Sequence, residues 1–136
     1  MTDTLFALLL YIGWMIALLV LLATFRSVLT LSGQKAANSF SPDGSDVSEL
    51  GVRLCRAHAN TYEFFPVAGG LLLAALATGH TAITDEFAMY FIAARLLQSA
   101  THLVSTSVLA VYVRFGFFLA QIGIGAYWIM MFCKLA

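Results

Sequence analysis

Arg56, His58, Asn60 and Glu63 stand in one short run, Arg-Ala-His-Ala-Asn-Thr-Tyr-Glu-Phe-Phe-Pro, that leads directly into the apolar stretch from Val67 to Thr78. Strongly polar side chains carried toward a bilayer are costly. They persist there mainly where they face a protein interior or a wet cavity and bind something. On a helix turning about 100° per residue, Arg56, Asn60 and Glu63 fall within about 60° of one another, with Arg53 about 20° beyond. Together they form a single stripe, cationic at its upper end and carboxylate lower down. Such a stripe suits a zwitterionic ligand that brings carboxylates and an amine of its own. His58 points about 160° away from Arg56, so one copy of the helix cannot turn both toward one ligand. In a symmetric oligomer the same helix serves two sites, one on each side.

A second polar set follows downstream. Arg95, Gln98, Ser99, His102 and Ser105 recur in steps of three and four, which places them on one helix face. A guanidinium well inside a membrane helix is rarely idle. The economical arrangement joins the two stripes, with Glu63 and Arg95 at similar depth. Plainer roles compete for several of these residues. Arg56 and Glu63 suit a structural ion pair between helices, and Arg26 and Arg53 suit interface anchors. Pro66 suits a kink, and Gly69, Gly70, Gly116, Gly123 and Gly125 suit close helix packing. His58 and His102 on neighbouring helices are also a candidate axial pair for a b-type haem in an electron-transfer protein. That reading leaves Arg56, Asn60 and Glu63 without a role. A proton-coupled exporter would want a membrane carboxylate in the first apolar segment, which has none between Thr4 and Phe25.

Composition identifies the solvent. Of 136 residues, 61% are hydrophobic and 10% charged, with a net charge of zero and a mean hydropathy of +0.90. A water-soluble domain carries about 25% charged residues, so this chain has too little polar surface to cover a globule in water. The neutral balance suggests no nucleic-acid partner. The two cysteines, Cys55 and Cys133, have neither metal nor redox spacing and read as unpaired thiols. No metal site is expected.

Four apolar segments account for the chain as one all-α, integral membrane domain over residues 1–136. Its helices are expected near 4–29, 51–78, 86–107 and 114–134. A long polar loop from Ser32 to Leu50 follows the first, and short ones at 79–85 and 107–113 follow the next two. The uncharged opening segment has no basic residue before it and exceeds a signal-peptide core in length. Arg26, Lys35, Arg53 and Arg56 flank the first loop and Arg114 the third, whereas the second has only Asp85 and Glu86. The positive-inside rule then places loops one and three in the cytoplasm and both termini opposite, with Lys134 alone arguing the other way.

The run from Arg53 to Pro66, Arg-Leu-Cys-Arg-Ala-His-Ala-Asn-Thr-Tyr-Glu-Phe-Phe-Pro, resembles the helix-two signature of the membrane-associated proteins in eicosanoid and glutathione metabolism (MAPEG). That family includes microsomal glutathione transferases and prostaglandin E synthase. Length, helix count and orientation extend the resemblance over nearly the whole chain, and Arg-Ala-His is similar to the prostaglandin synthase branch. The resemblance implies a homotrimer that holds glutathione as cosubstrate between subunits near the cytoplasmic face. It implies that Arg56, Asn60 and Glu63 grip the tripeptide from one subunit and that His58 reaches the adjacent site. It further implies ligand contacts for Arg95, Gln98, His102 and Lys35, and a catalytic Arg114 that opens helix four and stabilises the thiolate. The activity implied is glutathione transfer or peroxidase chemistry on small apolar electrophiles arriving from the bilayer, in a detoxification role. Phe64, Phe117 and Phe118 stand where relatives carry hydroxyls, and some relatives bind glutathione or lipid without catalysing anything.

Overall fold

The computed structural model describes residues 1–135 as four helices: α1 (Asp3–Leu31), α2 (Glu49–Thr78), α3 (Ala82–Val104) and α4 (Val108–Cys133). The all-α architecture agrees with the sequence expectation. Helices α1, α2 and α4 are each long and apolar enough to cross a membrane. The 23 residues of α3 reach about 34 Å at about 1.5 Å per residue, comparable to the hydrocarbon thickness, although α3 carries the polar face noted above.

Local chemistry sets the ends. Thr2, Ser48 and Ser107 cap α1, α2 and α4, each accepting a backbone N–H from the first turn, as hydroxyl caps do. Gly79, with φ of 72°, ends α2 in a left-handed turn that only glycine enters without strain. Two expected boundaries move. α3 begins at Ala82 rather than 86, because Asp85 belongs to its first turn, where a carboxylate complements the helix dipole. There its Oδ1 accepts from Thr4 N at 2.8 Å and from Thr4 Oγ1 at 2.6 Å, tying α1 to α3. α4 begins at Val108 rather than 114, so Arg114 lies about two turns inside the helix rather than at its start. The third connection is only 105–107.

α3 packs on α1, α2 and α4, and α2 on α1 and α4; among the described residues α1 and α4 make no contact. Tyr11, Leu72, Phe91, Ile92 and Trp128 are fully enclosed at the centre. The outward faces are apolar, with Ile16, Leu19 and Val20 exposed on α1 and Phe115, Ile122 and Ile129 on α4. Exposed apolar surface of this extent suits lipid or another helix rather than water. Of the five glycines expected to allow close helix packing, Gly69 does so, since a Cβ there would meet the Phe65 ring at 2.8 Å, and the other four take little part in packing within the chain. A Cβ at Gly70, Gly116 or Gly123 would meet nothing within 4 Å, and at Gly125 only an ordinary contact with Leu71 at 3.6 Å. Close intrachain packing is therefore not what these glycines provide.

The long loop is pinned to the bundle. Gly44 adopts φ of 72°, and a Cβ there would meet Gly51 O at 2.5 Å and Cys55 Sγ at 3.0 Å, so the loop backbone lies flat on α2. Arg26 donates to Ser41 O at 3.2 Å and stacks 5.4 Å from the Phe40 centroid. It anchors the loop instead of reaching lipid. Lys35 forms a 2.7 Å ion pair with Asp46. Hydrogen bonds from Ser41 and Ser45 hold the Asp43 carboxyl down at about 2. Both thiols are free, Cys55 buried and Cys133 exposed.

Candidate functional site

Arg95 is the centre of the polar interior. It is wholly enclosed, 0% exposed. Its Nη1 donates to Asn60 Oδ1 at 2.8 Å and, more weakly, to Asn60 O at 3.4 Å. The guanidinium lies 4.5 Å from the Phe64 centroid and 5.6 Å from that of Tyr11, so the aromatic faces stabilise the charge. The two stripes therefore meet, as the spacing implies, but through Asn60 rather than Glu63. Glu63 and Arg56 are both exposed, and among the described residues neither forms an ion pair. The structural pairing of Arg56 with Glu63 is not present in the chain.

A hydroxyl ladder braces this layer. Tyr11 Oη donates to Thr61 O at 2.9 Å. Thr61 Oγ1 donates to Ala57 O at 2.8 Å and lies 2.9 Å from Ser99 Oγ. A hydroxyl has one proton, so Ser99 is the donor in that second bond. α1, α2 and α3 are thus locked together beside Asn60, immediately before Pro66 interrupts the α2 ladder by withholding an N–H from Tyr62 O.

The second cluster joins α2, α3 and α4. Arg114 Nη1 lies 2.8 Å from His102 Nδ1, and Arg114, Arg56 and Arg95 all stand within electrostatic reach of that ring. Arg53 adds a weak bond, Nη1 to Val104 O at 3.4 Å, to a carbonyl left free at the end of α3. The one ion pair among the described residues, Lys35 with Asp46, lies in the loop. Arg114 alone touches His102, Arg56 and Arg95 act on the ring at longer range, and among the described residues no carboxylate forms an ion pair with any of the three. An anion with more than one negative group is the natural complement.

Gln98 has a partner that the sequence did not suggest. Gln121 of α4 is fully buried, and its Nε2 donates to Gln98 Oε1 at 2.9 Å and to Phe117 O at 2.8 Å. The available signal was a lone amide in an otherwise apolar helix, since Arg114 and Gln121 are the strongly polar residues of α4. His58 faces elsewhere. It stacks on Tyr62 with centroids 6.3 Å apart and planes 2° from parallel. It lines a groove of about 360 Å³ with Met15, Ile16, Leu19 and Tyr62. His58 therefore opens beside α1 and His102 beside α4, so within one chain they do not pair as haem ligands. Lys35, engaged with Asp46, belongs to the loop and not to the arginine cluster.

Comparison with known proteins gives one family. A family model, that of the MAPEG family, matches residues 4–135. No curated protein and no solved structure matches the chain.

Proposed function

The chain belongs to the MAPEG family, and on that premise we propose that it is a glutathione-dependent transferase, with peroxidase activity, acting on small apolar electrophiles from the bilayer. The observation that carries this reading is the uncompensated guanidinium cluster around His102, set beside the exposed Arg56 and Glu63 of α2. Glutathione brings two carboxylates, an amine and a thiol. Arg56 complements a carboxylate and Glu63 the amine, while Asn60, with its amide oxygen held by Arg95, has its NH2 group left to donate. Arg95 itself is too enclosed to touch the ligand and acts through Asn60. Gln98, clamped by Gln121, sits on the same face of α3. Lys35 remains a loop residue that a peptide carboxylate could draw away from Asp46.

The chemistry asked of the protein is modest. A free thiol has a pKa of about 8.5 and reacts as the thiolate. Lowering it by one unit needs about 1.4 kcal/mol of differential stabilisation, within reach of a permanently charged guanidinium in a low-dielectric site. Arg114 is assigned this role. His58, opening away from the cluster, serves the glutathione of a neighbouring subunit in a homotrimer. The electrophile enters between α1 and α4 of adjacent subunits, helices that stand apart within one chain. The site lies near the cytoplasmic face with both termini opposite. Calorimetric titration with reduced glutathione in detergent is expected to show saturable binding, and its absence would remove the reading. Binding without turnover on a model electrophile and a hydroperoxide would instead mark a non-catalytic relative, for which the hydroxyl-free Phe64, Phe117 and Phe118 speak. Native mass spectrometry is expected to give trimers, and only monomers or dimers would overturn the assembly.

A further inference from the structure

The contact between Arg114 and His102 fixes more than a distance. A guanidinium has five donors and no acceptor, and it stays protonated. At 2.8 Å from Arg114 Nη1, His102 Nδ1 must therefore be the acceptor and carry no proton. The ring is then neutral, with its hydrogen on Nε2. The charges around it agree. α2 contributes Arg56, α3 itself contributes Arg95, and α4 contributes Arg114, so every charged side chain acting on the ring is cationic. A second proton on the imidazole would abolish the acceptor and add a fourth positive charge.

We propose that His102 is the positioning residue for Arg114, a neutral imidazole whose bare Nδ1 holds the guanidinium in place, and that protonation of that nitrogen releases it. The placement explains how a long side chain about two turns inside α4 is held at the site rather than left to reach the interface. It gives His102 a task other than contact with the peptide. In its consequence for the thiolate the inference rests on the proposed glutathione chemistry; in its claim on Arg114 it does not.

The test has two arms. Without glutathione, the side-chain N–H resonances of Arg114 are followed in 15N-labelled protein and identified by their loss in Arg114→Ala. They are expected near neutral pH at shifts displaced from those of a free guanidinium, and to move to the free-guanidinium shifts on acidification, where slow exchange keeps them visible in either state. His102→Asn places an amide oxygen near the position of Nδ1 and does not titrate, so it should keep the displaced shifts in acid; His102→Phe should show free-guanidinium shifts at every pH at which they are visible. Displaced shifts in His102→Phe, their absence from wild type, or indifference of the wild-type shifts to acid overturns the proposal. With glutathione, ultraviolet thiolate absorbance is expected to fall on acidification more steeply in wild type than in His102→Asn. In His102→Phe, turnover should fall by about tenfold or more, while His102→Asn stays within about threefold. If glutathione does not bind at all, the proposed function fails, and the first arm still decides the role of His102.

Discussion

Arg56→Ala is expected to weaken glutathione binding by about 2–4 kcal/mol, or about 30-fold to 1,000-fold in Kd. The size follows from what the substitution strands. In the complex, a carboxylate of the peptide is drawn into a part-buried site and loses water, and Arg56 returns a charge-assisted bond in its place. Removing the guanidinium leaves that carboxylate desolvated without its partner. The chain itself should be indifferent to the change, because Arg56 is exposed and makes no ion pair among the described residues. Binding and fold are therefore separable, and unaltered thermal unfolding is the control. Arg56→Lys should recover only part of the loss, since an ammonium keeps the charge but not the planar fork. Equal affinity of wild type and Arg56→Ala in calorimetry would show that the site lies elsewhere.

The Arg56 stripe was legible because it needs nothing but helix periodicity. Residues on a single helix keep their angular relation whatever they pack against, and His58 duly opens beside Met15, Ile16 and Leu19 of α1, away from the arginine cluster. Partners across helices were less legible. Glu63 and Asn60 are both polar neighbours on α2, and only the packing of α3 on α2 decides that Arg95 takes Asn60. Gln121 has no periodic companion in α4, so nothing in its spacing points to Gln98. The misplaced boundaries share another cause. A charge at the edge of an apolar run invites a helix boundary there, whereas Asp85 belongs to the first turn of α3 and Arg114 to the interior of α4. The decisive signal at α4 was the Ser107 cap, whose hydroxyl accepts from Ala110 N at 3.2 Å, followed by an apolar run that continues the helix through Val113.

Arg114→Ala is expected to leave glutathione affinity within about tenfold of wild type and to reduce turnover by about 10²-fold or more, the scale that follows loss of one preorganised charge. The asymmetry comes from the two tasks of the cluster. Arg56 is exposed and free to meet a carboxylate of the bound peptide. Arg114 is part-buried and already oriented by His102 Nδ1 at 2.8 Å, an arrangement that a developing thiolate can use without reorganising the site. Its greatest effect is then on the fraction of bound glutathione present as the reactive thiolate, so its loss lowers turnover more than affinity. Thiolate absorbance on adding glutathione should appear with wild type and be largely lost with Arg114→Ala. Arg114→Lys should fall between them, keeping a charge but losing the geometry that His102 holds. Should Arg114→Ala instead retain full activity toward both a model electrophile and a hydroperoxide, another group activates the thiol, and Arg114 serves only to anchor α4 to α3.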